Sequence, residues 1–192
     1  MCFTANLCKV FEQTVLILEN DAVTACELFP TMTALRSKLK DRFTDRYFGF
    51  EAVSVLESEN MLPDIRRKVE SNLCDGLQRA ISYLEQWFDF SDDSIACVLQ
   101  NLSLHVMPTF QHVYSACNAL KLSGRIDMDA VNDEFSSSKD ALQHVVKCDK
   151  PVGEKWQRFF TCIEDSQTSF SLFRLCSQYR DATLFPREYF LL

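Results

Sequence analysis

Apolar side chains recur along this chain at steps of three and four residues, the spacing that gathers them on one face of an α-helix. Phe3, Leu7, Val10, Phe11, Val15 and Leu18 predict a first helix from about Phe3 to Glu19. Asn20-Asp21 then offers a turn and an N-cap. Leu28, Met32, Leu35, Leu39 and Phe43 line a second helix, which Pro30 either kinks or opens. The two read as an antiparallel helical hairpin. After Tyr47-Phe48-Gly49-Phe50 a short helix to about Glu57 is expected. Asn60 is then the expected cap of a long helix with Pro63 in its first turn, where the missing N–H does no harm. In that helix Val69, Leu73, Leu77, Ala80, Leu84 and Trp87 form a stripe.

Ser91-Asp92-Asp93 reads as a serine cap followed by two carboxylates that the helix dipole favours, opening a helix to about Leu102. Pro108 opens another, with Phe110, Val113, Cys117 and Leu120 inward and Gly124 ending it. A helix from about Asp127 to Lys147 uses Val131, Phe135, Leu142 and Val145, and is weakened in its middle by Ser136-Ser137-Ser138. Cys148 to Gly153 reads as a linker. Beyond it, Trp156, Phe159, Phe160 and Ile163 line one short helix, and Phe170, Phe173, Cys176 and Tyr179 another. The expected fold class is therefore all-α: an irregular bundle of about 8-9 helices with little or no β-sheet. The expected domains are a helical domain over 1-147, the linker 148-153 and a short helical segment over 154-192.

Composition supports this reading. Only 4 glycines and 5 prolines are present, too few for the many tight turns of a β-sandwich, while 47% hydrophobic residues suffice for a real core. A net charge of −7 repels phosphate backbones and anionic membranes. The basic group Arg36, Lys38, Lys40, Arg42 and Arg46 is interrupted by Asp41 and Asp45, and reads as a solvated helix face rather than a nucleic-acid site. The 9 cysteines form no CxxC pair and sit singly among apolar residues, as buried free thiols of a reducing compartment do. Lys9, Glu12 and Gln13 break any signal-peptide core, and no apolar run approaches the ~20 residues of a membrane span. An intracellular location, nucleus or cytoplasm, is expected, and there the Asn101-Leu102-Ser103 sequon is a chance match.

Chemistry is sparse. No glycine lies in a GxSxG or phosphate-loop setting. His105, His112 and His144 are far apart and no cysteine stands at zinc-ligand spacing from another, so each is expected to be structural. Asp92-Asp93, Asp127 with Asp129, Asp133-Glu134 and Glu164-Asp165 could in principle hold a divalent ion. Capping and dipole effects explain most of them, and the EF-hand pattern is absent. Tyr83, Trp87, Phe88 and Phe90 are flanked by Glu85, Asp89, Asp92 and Asp93, which suits a buried core cluster rather than a stacking platform for single strands. Accordingly no catalytic residue, cofactor, metal or small-molecule substrate is expected. The final segment is apolar, and Leu184, Phe185, Tyr189, Phe190, Leu191 and Leu192 are the candidate interface, for a protein partner or a second copy. They would otherwise pack on the chain's own core.

The stretch from Leu77 to Ser91, with Ala80-Ile81-Ser82-Tyr83-Leu84-Glu85-Gln86-Trp87-Phe88-Asp89-Phe90-Ser91 at its heart, resembles the A-I-x-Y-L-E-K-W-F-D-F-S segment of hAT-family transposase-like proteins. Lys9-Val10-Phe11-Glu12 with the helix that follows, Phe48-Gly49-Phe50, Ile126-Asp127-Met128-Asp129 through Glu134-Phe135, and Glu154 through Phe160 agree in kind and order, so that residues 5–165 are covered. Complete members of that family combine a BED zinc finger, an RNase H-like core with two Asp and one Glu on metal ions, a helical insertion and a C-terminal dimerisation region. The resemblance implies that this chain is the helical insertion with a short piece beyond it. It would begin after the Asp-bearing strands and stop before the E-R-x-F-S motif that carries the Glu. Glu188 stands in no matching motif, so no catalytic residue is carried over, and Leu172-Phe173-Arg174-Leu175-Cys176 is similar to the apolar segment that leads into the dimerisation region. Two readings follow: a truncated or domesticated remnant that mediates protein contacts, or an independent helical adaptor. A metal-dependent enzyme with facing carboxylates is a third and weaker one.

Overall fold

A computed structural model describes residues 2–20, 24–58 and 61–164. The interface candidates Leu184, Phe185, Tyr189, Phe190, Leu191 and Leu192, and the helix expected around Phe170 to Tyr179, lie outside the described residues. Among the described residues the chain forms nine α-helices and no strand, in agreement with the all-α expectation. The helices are α1 (Cys2–Leu18), α2 (Ala25–Thr44), α3 (Phe50–Leu56), α4 (Pro63–Trp87), α5 (Ile95–Gln100), α6 (Phe110–Ala119), α7 (Met128–Ser137), α8 (Lys139–Val146) and α9 (Val152–Glu164).

The chain divides into two compact units between Gln100 and Asn101, not at 148-153. The physical reason is the packing of α9. Val152, Phe159 and Ile163 are buried in one core with Leu104, Val113, Val131, Phe135, Leu142 and Val145. The expected linker is thus a tight turn inside the second unit, closed by the Lys150 N–H on the Cys148 carbonyl at 3.1 Å.

In the first unit α2 is the spine, packing against α1, α4 and α5. Leu28, Met32, Leu35 and Leu39 are buried along it, and Leu39 is fully enclosed. Val10 of α1 and Ile81 and Leu84 of α4 close this core, while Phe48, Leu56 and Leu77 form a neighbouring one. Val15 and Phe43, expected on the same apolar faces, are exposed instead.

Several ends differ from the sequence reading, each for a local reason. α2 starts after Thr24, whose N–H donates to the Glu27 carboxylate at 2.9 Å, so Pro30 lies inside the helix and denies the Cys26 carbonyl its usual donor. The residue capping α4 is Leu62 with Pro63 in the first turn; Asn60, the expected cap, lies outside the described residues. Ser91 does not cap α5, because its hydroxyl and N–H both donate to the Asp89 carboxylate, at 2.6 and 2.9 Å. Ser94 takes that role, its hydroxyl accepting the Cys97 N–H at 3.2 Å. Ser138 divides the helix expected from Asp127 to Lys147 into α7 and α8, and Asp127 caps α7 as its side chain accepts the Asp129 N–H.

α6 ends well before Gly124. Lys121 takes a left-handed conformation, φ 56°, and the N–H groups of Leu122 and Lys121 donate back to Cys117 and Asn118. This is a Schellman ending with lysine where glycine is usual. Lys121→Gly should relieve a strain of about 1 kcal/mol and raise the thermal midpoint, measurable by calorimetry of the full chain.

Candidate functional site

Among the described residues the sequence-derived chemical candidates serve local structural roles within each unit, and Asp165 lies outside those residues. His112 accepts the Thr109 N–H on Nδ1 at 3.2 Å, and its own N–H donates to the Thr109 hydroxyl, a capping role for α6. Asp127 caps α7, and Asp89, held below the usual carboxylate range by the Ser91 hydroxyl and N–H, fixes the turn after α4. Asp92 and Asp93 lie in an exposed turn before α5. Among the described residues, His, Cys, Asp and Glu side chains form no group of three or more that could hold a metal ion.

The basic residues of α2, and Arg46 just beyond its end, make contacts within the first unit. Arg36 lies 4.0 Å over the Phe90 ring, and Lys38 donates to Gln13. Lys40 pairs with Glu85 at 2.7 Å, Arg42 donates to Asn6 at 2.7 Å, and Arg46 pairs with Glu70 at 3.7 Å. These contacts tie α2 to its neighbours.

The cysteines depart from the expectation of uniform burial. Cys97 and Cys117 are buried, Cys26, Cys74 and Cys148 are half-buried, and Cys8 and Cys162 are exposed. Burial pushes the Cys26 thiol up to about 11 from 9.0, against the lowering effect of its hydrogen bond with Thr24. Burial also raises Cys97, with the Asp92 charge adding to the effect, and Cys117. Raised thiols are poor nucleophiles at neutral pH. Iodoacetamide in the native state should therefore label Cys8 and Cys162 well ahead of Cys26, Cys97 and Cys117, as peptide mass mapping over time would show.

A cavity of about 330 Å³ opens in the second unit between α6, α7 and α8, floored by Phe110 and Phe135 and rimmed by Asn132, Lys139 and Gln143. The Lys139 ammonium lies 5.9 Å from the Phe135 ring. Thr109 and Ser136 line it as well.

The largest surprise concerns the aromatic run at the end of α4, which was expected to be core. Phe88 and Phe90 do pack inward, 4.7 Å apart and each within 6.4 Å of Phe29. Tyr83 and Trp87 do not. They are 57% and 65% exposed, with ring centroids 6.0 Å apart on successive turns of one face. The helical stripe that carries them is covered farther back, where Gly76 meets the Phe3 ring, and is bare at its last turn. One sequence signal could have found this. Ile81 and Leu84 already supply the inward face of that turn, so Tyr83 and Trp87 are in excess of what the core needs.

Two adjacent aromatic rings in water bring no core stability. Among the described residues no helix is long and apolar enough to cross a membrane. No protein-family model, curated protein or solved structure matches the chain.

Proposed function

We propose that the chain is a catalytically silent helical module that acts by protein contact, of the kind that the helical insertion of an hAT-type transposase provides, whether truncated or domesticated. The observation that carries the reading is the exposed pair Tyr83 and Trp87. Both belong to the segment that resembles that family, whose other apolar residues Ile81, Leu84, Phe88 and Phe90 are taken up by the core. Those four explain how the segment folds, and the two exposed rings are left for a partner. Net charge −7 disfavours nucleic acid as that partner. Seven described cysteines without a disulfide support a reducing compartment, cytoplasm or nucleus.

A photo-crosslinking residue at position 83, compared in cells with one at the exposed position Gln111, tests the contact. The expected result is discrete protein adducts from position 83 alone. Equal or absent adducts from the two sites would end the reading. In the same preparation, cleavage or joining of duplex DNA with Mg²⁺ or Mn²⁺ would contradict catalytic silence. An independent helical adaptor would use the same face. Neighbouring genomic frames encoding a BED finger or the E-R-x-F-S motif separate it from a transposon remnant.

A further inference from the structure

We infer that the occupant of the α4 face is a second copy of this chain, bound by antiparallel pairing of the two α4 helices; this rests on the reading of Tyr83 and Trp87 as a contact surface. Ile65, Lys68, Asn72, Asp75, Arg79 and Tyr83 recur at three- and four-residue steps and are all exposed, so one open row runs the length of α4. Its composition is complementary to its own reverse. The start holds an aliphatic side chain and a cation, Ile65 and Lys68. The end holds two rings, Tyr83 and Trp87. The middle holds one charge of each sign, Asp75 and Arg79, and neither makes an ion pair among the described residues.

With the twofold axis passing beside Leu77, Asp75 of each copy stands opposite Arg79 of the other, giving two reciprocal ion pairs. The same register sets Trp87 of one helix at the level of Arg67, between Ile65 and Lys68 of the other, and Tyr83 at the level of Ser71, between Lys68 and Asn72. Burial of apolar surface and the attraction of an ammonium for a ring face act together there. A parallel arrangement places like charges together, aligns the two helix dipoles and sets ring against ring and cation against cation. The antiparallel one relieves all three. A single helix pair buries less than the roughly 1,600 Å² of a standard interface, so association in the micromolar range is expected.

Sedimentation velocity of the full chain across the micromolar range tests this. The expected result is a concentration-dependent shift from one chain to two. Arg79→Asp alone and Asp75→Arg alone should each weaken association at least about tenfold, because like charges then meet twice. The exchange of both, Asp75→Arg with Arg79→Asp, should restore it. All these positions are exposed, and far-UV dichroism verifies that each variant is folded. A chain that stays monomeric throughout, or a double exchange that fails to restore pairing, overturns the inference. If adducts from position 83 then carry the mass of a different protein, the contact reading survives and the second copy does not.

Discussion

Gly49→Val should destabilise the first unit by about 3 kcal/mol or more, enough to remove a large part of the stability of a domain this size. Gly49 has φ 99° and ψ 148°, a region that residues with a Cβ essentially avoid, and it is buried. A Cβ there would stand 2.8 Å from Cγ of Asn6. Asn6 cannot simply move aside, because its side-chain oxygen accepts from Arg42 at 2.7 Å and so links α1 to α2. The neighbouring Phe48 is buried in the core that α3 and α4 share, so displacement of the loop reaches that core directly. Urea unfolding followed by dichroism measures the loss. Asn6→Ala in the same chain should recover only the part due to the clash, leaving the backbone strain. Full recovery, or a neutral single variant, would contradict this account of the loop.

Lys155→Met is the counterpart in the second unit, with an expected cost of about 2 to 3 kcal/mol. Lys155 is 5% exposed, and its ammonium donates to the Leu104 carbonyl at 3.0 Å and the Val146 carbonyl at 3.4 Å. Leu104 is itself fully buried with φ 56°, so its carbonyl is held in place by a strained turn. Replacing a buried ion pair by an apolar side chain is often neutral, since both charges disappear. Here the acceptors are backbone carbonyls, which remain after the substitution and lose their donor. Methionine retains the length of the stem, so the loss reports on the hydrogen bonds. The Trp156 Nε1–H, which donates to the Leu102 carbonyl at 3.0 Å, holds the same loop from the next position of α9. A methionine variant as stable as the parent would show that these bonds contribute nothing net.

The regular parts of the fold were legible in the sequence because burial imposes the helical period directly. Leu28, Met32, Leu35 and Leu39, and later Leu142, Val145, Phe159 and Ile163, were expected inward and are buried. The ends of helices were less legible, since several residues could serve as each cap and the choice depends on competing hydrogen bonds. Ser91 was a good candidate until Asp89 engaged both its donors. Lys121 and Arg46 adopt left-handed backbone at the ends of α6 and α2 without being glycine, so nothing in their side chains announced it. The Cys148 to Gly153 stretch has the composition of a linker, and only the burial of Val152, Lys155 and Phe159 makes it a turn within one unit.

The surface was the least legible part, and it is where function is proposed. Periodicity assigns a residue to a stripe, but whether the stripe is covered depends on how far the neighbouring helix extends. Trp87 falls on the apolar stripe of α4 by spacing and yet is among the most exposed large side chains of the described residues, whereas Leu84, one turn back, is buried. Wherever aromatic residues exceed what one face of a helix can bury, the surplus is a candidate for binding.

Everything proposed for this chain depends on Trp87 standing in water when the protein is alone. The chain has two tryptophans, and Trp156→Phe leaves Trp87 as the sole reporter. In dilute solution its emission should lie at the red, water-exposed end of the tryptophan range and be quenched by iodide nearly as efficiently as a free indole. Blue-shifted emission that resists iodide in a folded, monomeric chain would place the ring in a core and contradict the contact surface.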